Sequence, residues 1–468
     1  MNFWDLSHSG KSIVVNNSET RKNYSYLEFQ DRVDAFKAEM AAQNTKGKTL
    51  GFIFCRNSPA ALAGYLAALQ GKQAVCLLSV QLADFLRDEL IRIYQPDWIW
   101  APSEMGALPN NYDGKREWEG YRLSCISRES KGTEIHPDLA VLLSTSGTTG
   151  TPKMVRLSYR NLQANAESIA EYLRLTSNEC PVTTLPMHYS YGLSVVNSHL
   201  QVGATLLLNN HDMMTRSFWN LFKEENPTSF AGVPYTFQML HRLKFEQMQL
   251  PSLRTITQAG GHLDVQYQEY FQKACGRMNV RFFVMYGQTE ATARISYIPV
   301  EKLSDCLGSI GISIPDGRME ADPETQELIY HGPNVMMGYA ESRKDLNKGD
   351  ELNGRLRTGD IVRQDERGHF YIQGRLKRFI KPFGLRVNLD DLESMIKKRF
   401  QKACYCTGDD SHLLIAVPHE NLTQEVKNLM VDTYGMKLST LRVSTLTDIP
   451  RLETGKVNYA ALKDALLK

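Results

Sequence analysis

Apolar positions in the first 80 residues alternate between helical spacing and short continuous runs. Between residues 26 and 40 they recur at helical spacing, which predicts an amphipathic helix. The side chains concerned are Leu27, Phe29, Val33, Phe36 and Met40. The runs at 50–54 and 73–78 have the length of buried strands, and the Ala-rich segment 58–69 between them predicts a second helix. Such alternation indicates a largely parallel sheet that is covered on both faces.

The same alternation resumes after residue 139. Two apolar runs, at 139–143 and 154–157, predict buried strands. Ser158 is placed to cap a following helix. The apolar face of that helix comprises Leu162, Ala166, Ile169 and Leu173. Four further buried strands are predicted at 205–208, 229–232, 255–258 and 280–284.

The last third of the chain differs in pattern. Residues 299–374 carry short strand patterns and many Gly and Asp turns, which predicts a β-rich subdomain. Beyond a boundary near Gly374, helices are predicted at 389–400 and 422–434. Strands are predicted between them at 403–405 and 413–417. This gives an α/β fold with a large N-terminal domain, 1–374, of parallel-rich sheets flanked by helices, and a small α+β C-terminal domain, 375–468.

Composition narrows the class of protein. A chain of 468 residues exceeds one compact core, and 42% hydrophobic with 23% charged residues is typical of a globular enzyme. A formal charge of +2 argues against a nucleic-acid-binding surface, so no nucleic-acid partner is expected. Among eight cysteines only Cys404 and Cys406 lie close together, and alternation along a strand explains their spacing better than a zinc site.

The expected location is the cytoplasm. The start, Met-Asn-Phe-Trp-Asp, lacks the basic and apolar regions of a signal peptide. The best apolar stretch, 59–69, is too short to span a bilayer. Reduced thiols fit this compartment.

Candidate chemistry is concentrated in a loop between the strands predicted at 139–143 and 154–157. The loop contains Thr145, Ser146, Gly147, Thr148, Thr149 and Gly150, and it ends at Lys153. Small side chains let backbone N–H groups approach an anion, hydroxyls add donors, and the ammonium group adds charge. The spacing is not that of the Walker motif. By itself the loop is compatible either with polyphosphate binding or with a flexible hairpin.

Four more segments favour polyphosphate binding over a flexible hairpin. They are, in order, Met285–Glu290, Arg357–Asp360, Gly374–Lys377 and Thr454–Lys456. Together with the loop, they resemble the motifs of the acyl-adenylate-forming superfamily, which comprises acyl-CoA synthetases, the adenylation domains of peptide synthetases, and luciferases. The resemblance extends from Tyr24 to Lys456. It implies an ATP-dependent ligase that converts a carboxylic acid to acyl-AMP, releases pyrophosphate, and passes the acyl group to a thiol.

The resemblance also implies a nucleotide site. The loop with Lys153 would hold the β- and γ-phosphates, Thr289 the α-phosphate, and Glu290 a Mg²⁺ ion, for which a carboxylate is a suitable ligand. Tyr286, followed by Gly287, would stack on adenine. Gly260 and Gly261 would frame the adenine edge, Asp360 would accept hydrogen bonds from the ribose hydroxyls, and Arg375 would contact the nucleotide.

Three residues near or in the C-terminal domain complete the implied machinery. Lys456 resembles the catalytic lysine that bridges the substrate carboxylate and the α-phosphate. Lys377 stands at the hinge position, where the small, mobile domain rotates between the two half-reactions. Gly384 resembles the glycine that lines the tunnel of the incoming thiol, where a side chain would obstruct the path.

The acyl pocket is implied by the segment Leu185–Ser194. Either His188 or Tyr189 takes the place of its aromatic gate. Gly192 stands where amino-acid-activating members carry an aspartate for the α-ammonium group. Because a buried ammonium without a partner is costly, the sequence favours an uncharged acyl tail or an aryl acid over an α-amino acid.

The acceptor is left open between two thiols. Coenzyme A suits a free-standing synthetase, and the phosphopantetheine arm of an acyl or peptidyl carrier protein is the alternative. A non-catalytic binding relative is disfavoured by the presence of Lys456, Glu290 and Asp360, and nothing specific supports a luciferase. The expected cofactors are ATP, Mg²⁺ and coenzyme A or the carrier.

Overall fold

A computed structural model describes most of the chain. The described residues are 1–8, 13–18, 20–43, 47–106, 108–109, 112–126, 134–144, 153–375, 379–382, 387–450 and 459–467. Within them, no helix combines the length and the apolarity needed to cross a membrane.

The helices of these residues begin and end as follows. They are α1 (Tyr26–Gln43), α2 (Pro59–Gln70), α3 (Asp84–Tyr94), α4 (Tyr159–Tyr172), α5 (Ser190–Gln201), α6 (Arg216–Glu225), α7 (Pro234–Arg242), α8 (Val265–Met278), α9 (Leu389–Phe400), α10 (Asn421–Tyr434) and α11 (Tyr459–Leu467).

The strands are short and spread over the whole chain. Those in the first half are β1 (Ile13–Asn17), β2 (Asn23–Ser25), β3 (Leu50–Cys55), β4 (Ala74–Ser79), β5 (Trp98–Pro102), β6 (Tyr112–Trp118), β7 (Tyr121–Ile126), β8 (Leu139–Ser144), β9 (Met154–Ser158), β10 (Pro181–Val182), β11 (Leu206–Leu208) and β12 (Ser229–Gly232). Those in the second half are β13 (Thr255–Gln258), β14 (Arg281–Tyr286), β15 (Ser296–Tyr297), β16 (Ile312–Ser313), β17 (Arg318–Ala321), β18 (Glu327–His331), β19 (Gly338–Ala340), β20 (Arg355–Gln364), β21 (Phe370–Arg375), β22 (Phe379–Ile380), β23 (Val387–Asn388), β24 (Tyr405–Gly408), β25 (Leu413–Val417) and β26 (Leu441–Thr445).

Contacts divide the chain into two compact units. The first unit comprises Met1–Val80, Tyr94–Leu143 and Met154–Gly374. The second comprises Gln81–Ile93, Ser144–Lys153 and Arg375–Lys468.

The first unit is built on two large sheets and a smaller one. One large sheet has the strand order β19-β9-β8-β4-β3-β5-β7-β6, and its strands β8, β4, β3 and β5 run parallel. The other has the order β16-β15-β14-β13-β12-β10-β11-β1-β2, with β14 to β11 parallel. The smaller sheet has the order β17-β18-β20-β21. The predicted α/β class with parallel-rich sheets is therefore confirmed.

The main core of the first unit joins residues of both large sheets and of the helices α1, α2, α4 and α5. Helix α2 is buried along its length, which its small Ala side chains allow. Its N-cap, Ser58, accepts a hydrogen bond from the N–H of Ala61. Tyr65 of α2 donates to Asn197 of α5 at 3.2 Å, which fixes the two helices against each other.

The second unit contains a three-stranded sheet, β24-β25-β26, in which β25 and β26 are parallel. Apolar side chains of α9 and α10 pack on this sheet and form its core. Helix α9 has the predicted bounds, and its Leu392 and Ile396 are buried as expected.

Most of the elements predicted from apolar patterns are present, with ends shifted by one to three residues. Ser158 caps α4 as predicted, through a reciprocal pair of bonds with Asn161. Two details were wrong. Leu27 is exposed, because the apolar stripe of α1 begins at Tyr26 and Phe29. The strand predicted at 403–405 begins only at Tyr405.

Candidate active site

The candidate site lies at the carboxyl ends of the neighbouring parallel strands β13 and β14, where α/β sheets commonly bind ligands. Strand β14 ends at Tyr286, and Thr289–Ala291 then form a short 3-10 helix. Strand β13 leads into Gly260 and Gly261. The amide nitrogen of Gln258 donates to the carbonyl of Gly261 at 2.9 Å, which holds this turn beside the sheet. The structure thus places two predicted motifs at the carboxyl ends of neighbouring strands of one sheet.

Gly287 is required by a close backbone approach. A Cβ atom at this position would lie 1.9 Å from the carbonyl oxygen of Ala293. Thr292 and Ala293 both have positive φ, 54° and 105°, so the chain turns back sharply at this point. The turn places Thr289 and Glu290 directly behind the strand end.

Glu290 is buried, at 5% exposure, and is held by a hydroxyl from another sheet. Tyr339 of β19 donates to its Oε1 at 2.9 Å. The backbone carbonyl of Glu290 also accepts a hydrogen bond from the N–H of Met336 at 2.9 Å. The carboxylate is therefore fixed in position at the site.

Strand β19 is itself anchored by a buried arginine. Arg156 of β9 donates to the carbonyls of Tyr339 at 3.1 Å and Met337 at 3.2 Å, and it pairs with Glu351. Since β9 and β19 are also antiparallel neighbours, the position of Tyr339 is determined by residues far away in sequence.

Thr289 contacts the start of α5. Its Oγ1 lies 3.1 Å from the hydroxyl of Ser190, the first residue of that helix, and both side chains are buried. Helix α5 therefore presents the residues that precede it, His188 and Tyr189, to the same region.

Both candidate gate residues are partly buried. Burial lowers the pKa of His188 to about 4, so its ring is neutral near pH 7. No partner for its Nδ1 is found within the described residues. The hydroxyl of Tyr189 lies near Gly260, 2.5 Å from where a Cβ of that residue would stand. The structure thus brings Tyr189 to the turn after β13, and the choice of gate stays open.

Gly192 lies against the backbone that precedes α5. A Cβ at this position would lie 2.3 Å from the carbonyl oxygen of Pro186 and 2.8 Å from that of Leu185. No aspartate fits there without moving the backbone, and its side chain would point at that backbone. The backbone therefore gives a steric reason for glycine at position 192, and the expected discrimination against α-amino acids stays a prediction.

Asp360 and Tyr286 form one cluster. Asp360 of β20 is 1% exposed and accepts a hydrogen bond from the hydroxyl of Tyr286. Gln288 bridges the same two strands, since its amide nitrogen donates to the carbonyl of Thr358 at 3.3 Å. An aromatic ring can stack on a nucleotide base, and a carboxylate beside it can accept hydrogen bonds from ribose hydroxyls.

Changing Asp360 to asparagine is expected to raise the KM for ATP roughly tenfold or more, because hydrogen bonds to charged groups contribute about 1.5–3 kcal/mol. Tyr286→Phe keeps the ring and removes a hydroxyl that contacts Asp360 rather than the nucleotide, so it should change this KM by less than about fivefold. The measurement is ATP-dependent pyrophosphate exchange. Asp365→Asn, in the turn after β20, is the control. An unchanged KM in Asp360→Asn would remove Asp360 from the nucleotide site.

Several predicted residues are outside the described residues. They are Thr145, Ser146, Gly147, Thr148, Thr149, Gly150, Lys377, Gly384 and Lys456. Arg375 is described as the last residue of β21, without its side chain. Lys153 is described and partly buried.

Two residues of the site were missed from the sequence, Tyr339 and Ser190. Ser190 stands next to the predicted gate and could have been included on position alone. Nothing in the local pattern around Tyr339 marks it, because its role depends on the pairing of β19 with β9.

Comparison with known proteins gives a family match and several relatives. A family model described as AMP-binding enzyme matches residues 5–340. A long-chain-fatty-acid–CoA ligase of Escherichia coli O157:H7 is 30% identical over 376 residues. The match covers 74% of this chain and 64% of the relative, so the chain spans less than two thirds of that relative's length.

Solved structures share the fold. An o-succinylbenzoate CoA synthetase from Bacillus subtilis, bound to a product analogue, has a TM-score of 0.79 at 19% identity, over 99% of this chain and 98% of the other. The same enzyme in complex with ATP and magnesium has a TM-score of 0.66 at 20% identity, over 99% of both chains. At these identities the likeness concerns the fold.

Proposed function

The chain belongs to the AMP-binding enzyme family, and from this premise we propose that it is an AMP-forming acid–thiol ligase. In the first half-reaction an oxygen of the substrate carboxylate would attack the α-phosphorus of ATP, and pyrophosphate would leave. In the second, the thiol of coenzyme A would attack the acyl carbonyl, and AMP would leave. The observation that carries the proposal is the cluster that Tyr286, Thr289 and Glu290 form at the end of β14, together with Asp360 of β20, which accepts a hydrogen bond from Tyr286.

Two anions must meet in the first half-reaction, so the site has to supply donors and positive charge. Thr289, whose Oγ1 lies 3.1 Å from the hydroxyl of Ser190, would donate its hydroxyl to an α-phosphate oxygen. The loop 145–150 with Lys153 is proposed to hold the β- and γ-phosphates. Arg375 is proposed to contact the nucleotide.

The donor set fits Mg²⁺. Glu290 offers a buried, oriented carboxylate, and no cluster of three or more acidic, His or Cys side chains occurs in the part of the chain that the structure describes. A single protein carboxylate is sufficient here, because Mg²⁺ is usually coordinated by one or two carboxylates together with substrate phosphates. When bound, the ion would neutralise phosphate charge.

The nucleoside would lie between two turns. The ring of Tyr286 would stack on adenine, with Gly260 and Gly261 along its edge. Asp360 would accept hydrogen bonds from the ribose, since an ionised carboxylate can accept several. Its contact with Tyr286 would orient the ring and the carboxylate together.

For the second half-reaction we propose roles taken from the family. Lys456 would bridge the substrate carboxylate and the α-phosphate, Lys377 would be the hinge, and Gly384 would line the thiol tunnel. Coenzyme A is the proposed acceptor because the matched relatives are named as CoA ligases. A carrier protein remains the alternative acceptor.

A pyrophosphate-exchange screen tests the proposal. The purified chain, ATP and Mg²⁺ are incubated with a panel of acyl, aryl, dicarboxylic and amino acids, and exchange of labelled pyrophosphate into ATP is measured. Acids that support exchange are then offered coenzyme A or a holo-carrier protein, and the thioester is detected by mass. Exchange with at least one acid is expected, followed by acyl-CoA formation. Absence of exchange across all acid classes would reject the ligase assignment.

A further inference from the structure

Arg294 is an arginine whose side chain is buried in the first unit. It lies four residues after Glu290 and is 2% exposed. Its backbone position follows the turn at Thr292 and Ala293, whose positive φ values are costly for residues with a side chain. The strained turn at Thr292 and Ala293 therefore leads directly into the buried Arg294.

The surroundings of Arg294 are aromatic. Its guanidinium carbon lies 4.0 Å from the ring centroid of Tyr191. Burial raises the pKa of Tyr172 to about 12, and the charge of Arg294 together with a hydrogen bond opposes part of that shift. Arg294 shares a hydrogen bond with Tyr172, but no ion pair of Arg294 is found among the described residues and its buried Nε has no acceptor there. A buried cation without a counter-ion is costly, so an anion at this position would be stabilised.

Arg294 lines a small cavity together with a second buried polar side chain. The cavity is about 20 Å³, room for about one water molecule. Its lining includes Ile169, Val195, His199, Ser229 and Thr257. The Nδ1–H of His199 donates to the carbonyl of Val195 at 2.8 Å, which leaves a buried Nε2 without a partner within the described chain. Burial lowers the pKa of His199 to about 4.

The cavity and the candidate acyl region are built on the same elements, α5 and β13. Val195 and His199 belong to α5, whose first residue holds Thr289. Thr257 belongs to β13, which leads to Gly260. Tyr191 stands between: its hydroxyl donates to the carbonyl of Thr257 at 2.8 Å, and its ring meets that of Tyr189 edge-on at 6.3 Å.

We propose that Arg294 binds a second carboxylate at the far end of the acid substrate, so that the preferred substrates are dicarboxylic acids. The inference rests on the proposed ligase function. A carboxylate oxygen would replace the one water that the cavity can hold and would give Arg294 a charge-assisted partner. Only this terminal group would enter the cavity. A second carboxylate differs from the uncharged acyl tail that the sequence favoured. The sequence could not indicate it, because no motif marks Arg294 as a pocket residue.

Matched acids and variants test the subsite. Each dicarboxylic acid, aliphatic or aryl, is compared with the monocarboxylic acid of equal length by kcat/KM in pyrophosphate exchange. Arg294→Met keeps the side-chain length and removes the charge, and Arg294→Lys restores a cation. The control is Arg281→Met, because Arg281 is half-buried at the start of β14 and donates to Leu173 and Thr255.

The wild type is expected to prefer the dicarboxylic acid, and Arg294→Met to lose roughly tenfold or more of that preference, mainly through KM. Arg294→Lys should recover part of it, and Arg281→Met should keep it. A wild-type preference for the plain acid, or an equal preference ratio in Arg294→Met and Arg281→Met, would overturn the proposal.

Thermal unfolding separates failure of the subsite from failure of the ligase function. Dicarboxylic acids, added with AMP, should raise the Tm of the wild type and of Arg281→Met, and leave that of Arg294→Met unchanged. Such a shift without any exchange activity would support the subsite and reject the ligase. Exchange with plain acids, with no Tm shift from dicarboxylic acids, would reject the subsite and support the ligase. Neither exchange nor shift would reject both.

Discussion

Replacing Glu290 with glutamine is expected to lower the rate of acyl-adenylate formation roughly a hundredfold or more, the range found when one preorganised charge-stabilising group is lost. Glutamine has nearly the same shape and can still accept from the hydroxyl of Tyr339, which holds Glu290 Oε1 at 2.9 Å. The substitution therefore removes the charge and keeps the packing. Pyrophosphate exchange measured across a Mg²⁺ titration should show a lower rate and a higher half-saturating Mg²⁺ concentration.

A matched control is available for this variant. Glu179 is also 5% exposed, and it accepts a hydrogen bond from the hydroxyl of Thr228 at 2.7 Å. Glu179→Gln should disturb stability to a similar extent and leave the Mg²⁺ titration unchanged. If Glu290→Gln also leaves the titration unchanged, Glu290 is not a metal ligand in this protein.

Local patterns were sufficient to predict elements whose apolar residues repeat within a few positions. The bounds of α9, β12, β13 and β25 agree with the predictions. The buried side chains recur at helical spacing in α9 and are consecutive in the three strands, so the period alone determines the element.

The same reasoning missed elements whose pattern is mixed. The hairpin of β6 and β7, Tyr112–Trp118 and Tyr121–Ile126, lies at the edge of its sheet. Strand β6 carries polar and charged side chains among its aromatic ones and has no continuous apolar run. Edge strands of antiparallel pairs need only one buried face, which weakens the signal in sequence.

In the candidate site, the sequence motifs identified residues at the ends of strands. They did not identify the residues that distant segments of the chain bring into contact with them. Tyr286, Thr289 and Glu290 stand in one motif at the end of β14, and the resemblance of that motif named them together. Tyr339 and Arg294 depend on the pairing of distant segments and on a turn at Ala293 that no propensity predicts. Gly192 has a steric requirement that the sequence did not show, since a Cβ there would meet the carbonyl oxygens of Leu185 and Pro186.

Replacing Lys456 with alanine is expected to separate the two half-reactions. The resemblance assigns Lys456 to the junction of two anions, the substrate carboxylate and the α-phosphate, whose repulsion it would offset as they meet. Its loss should slow acyl-adenylate formation roughly a hundredfold to a thousandfold, as removal of one charge-stabilising group does in other enzymes.

Thioester formation from a supplied acyl-adenylate should stay within a few-fold of the wild type, because those two anions have already been joined and the attacking group is a thiol. The control is Lys463→Ala in the same unit, whose ammonium group pairs with Asp409 at 2.8 Å. It should leave both half-reactions intact. Equal loss of both halves in Lys456→Ala would contradict the assignment, since a residue that acts only on the approach of carboxylate to phosphate has no part in the attack of the thiol.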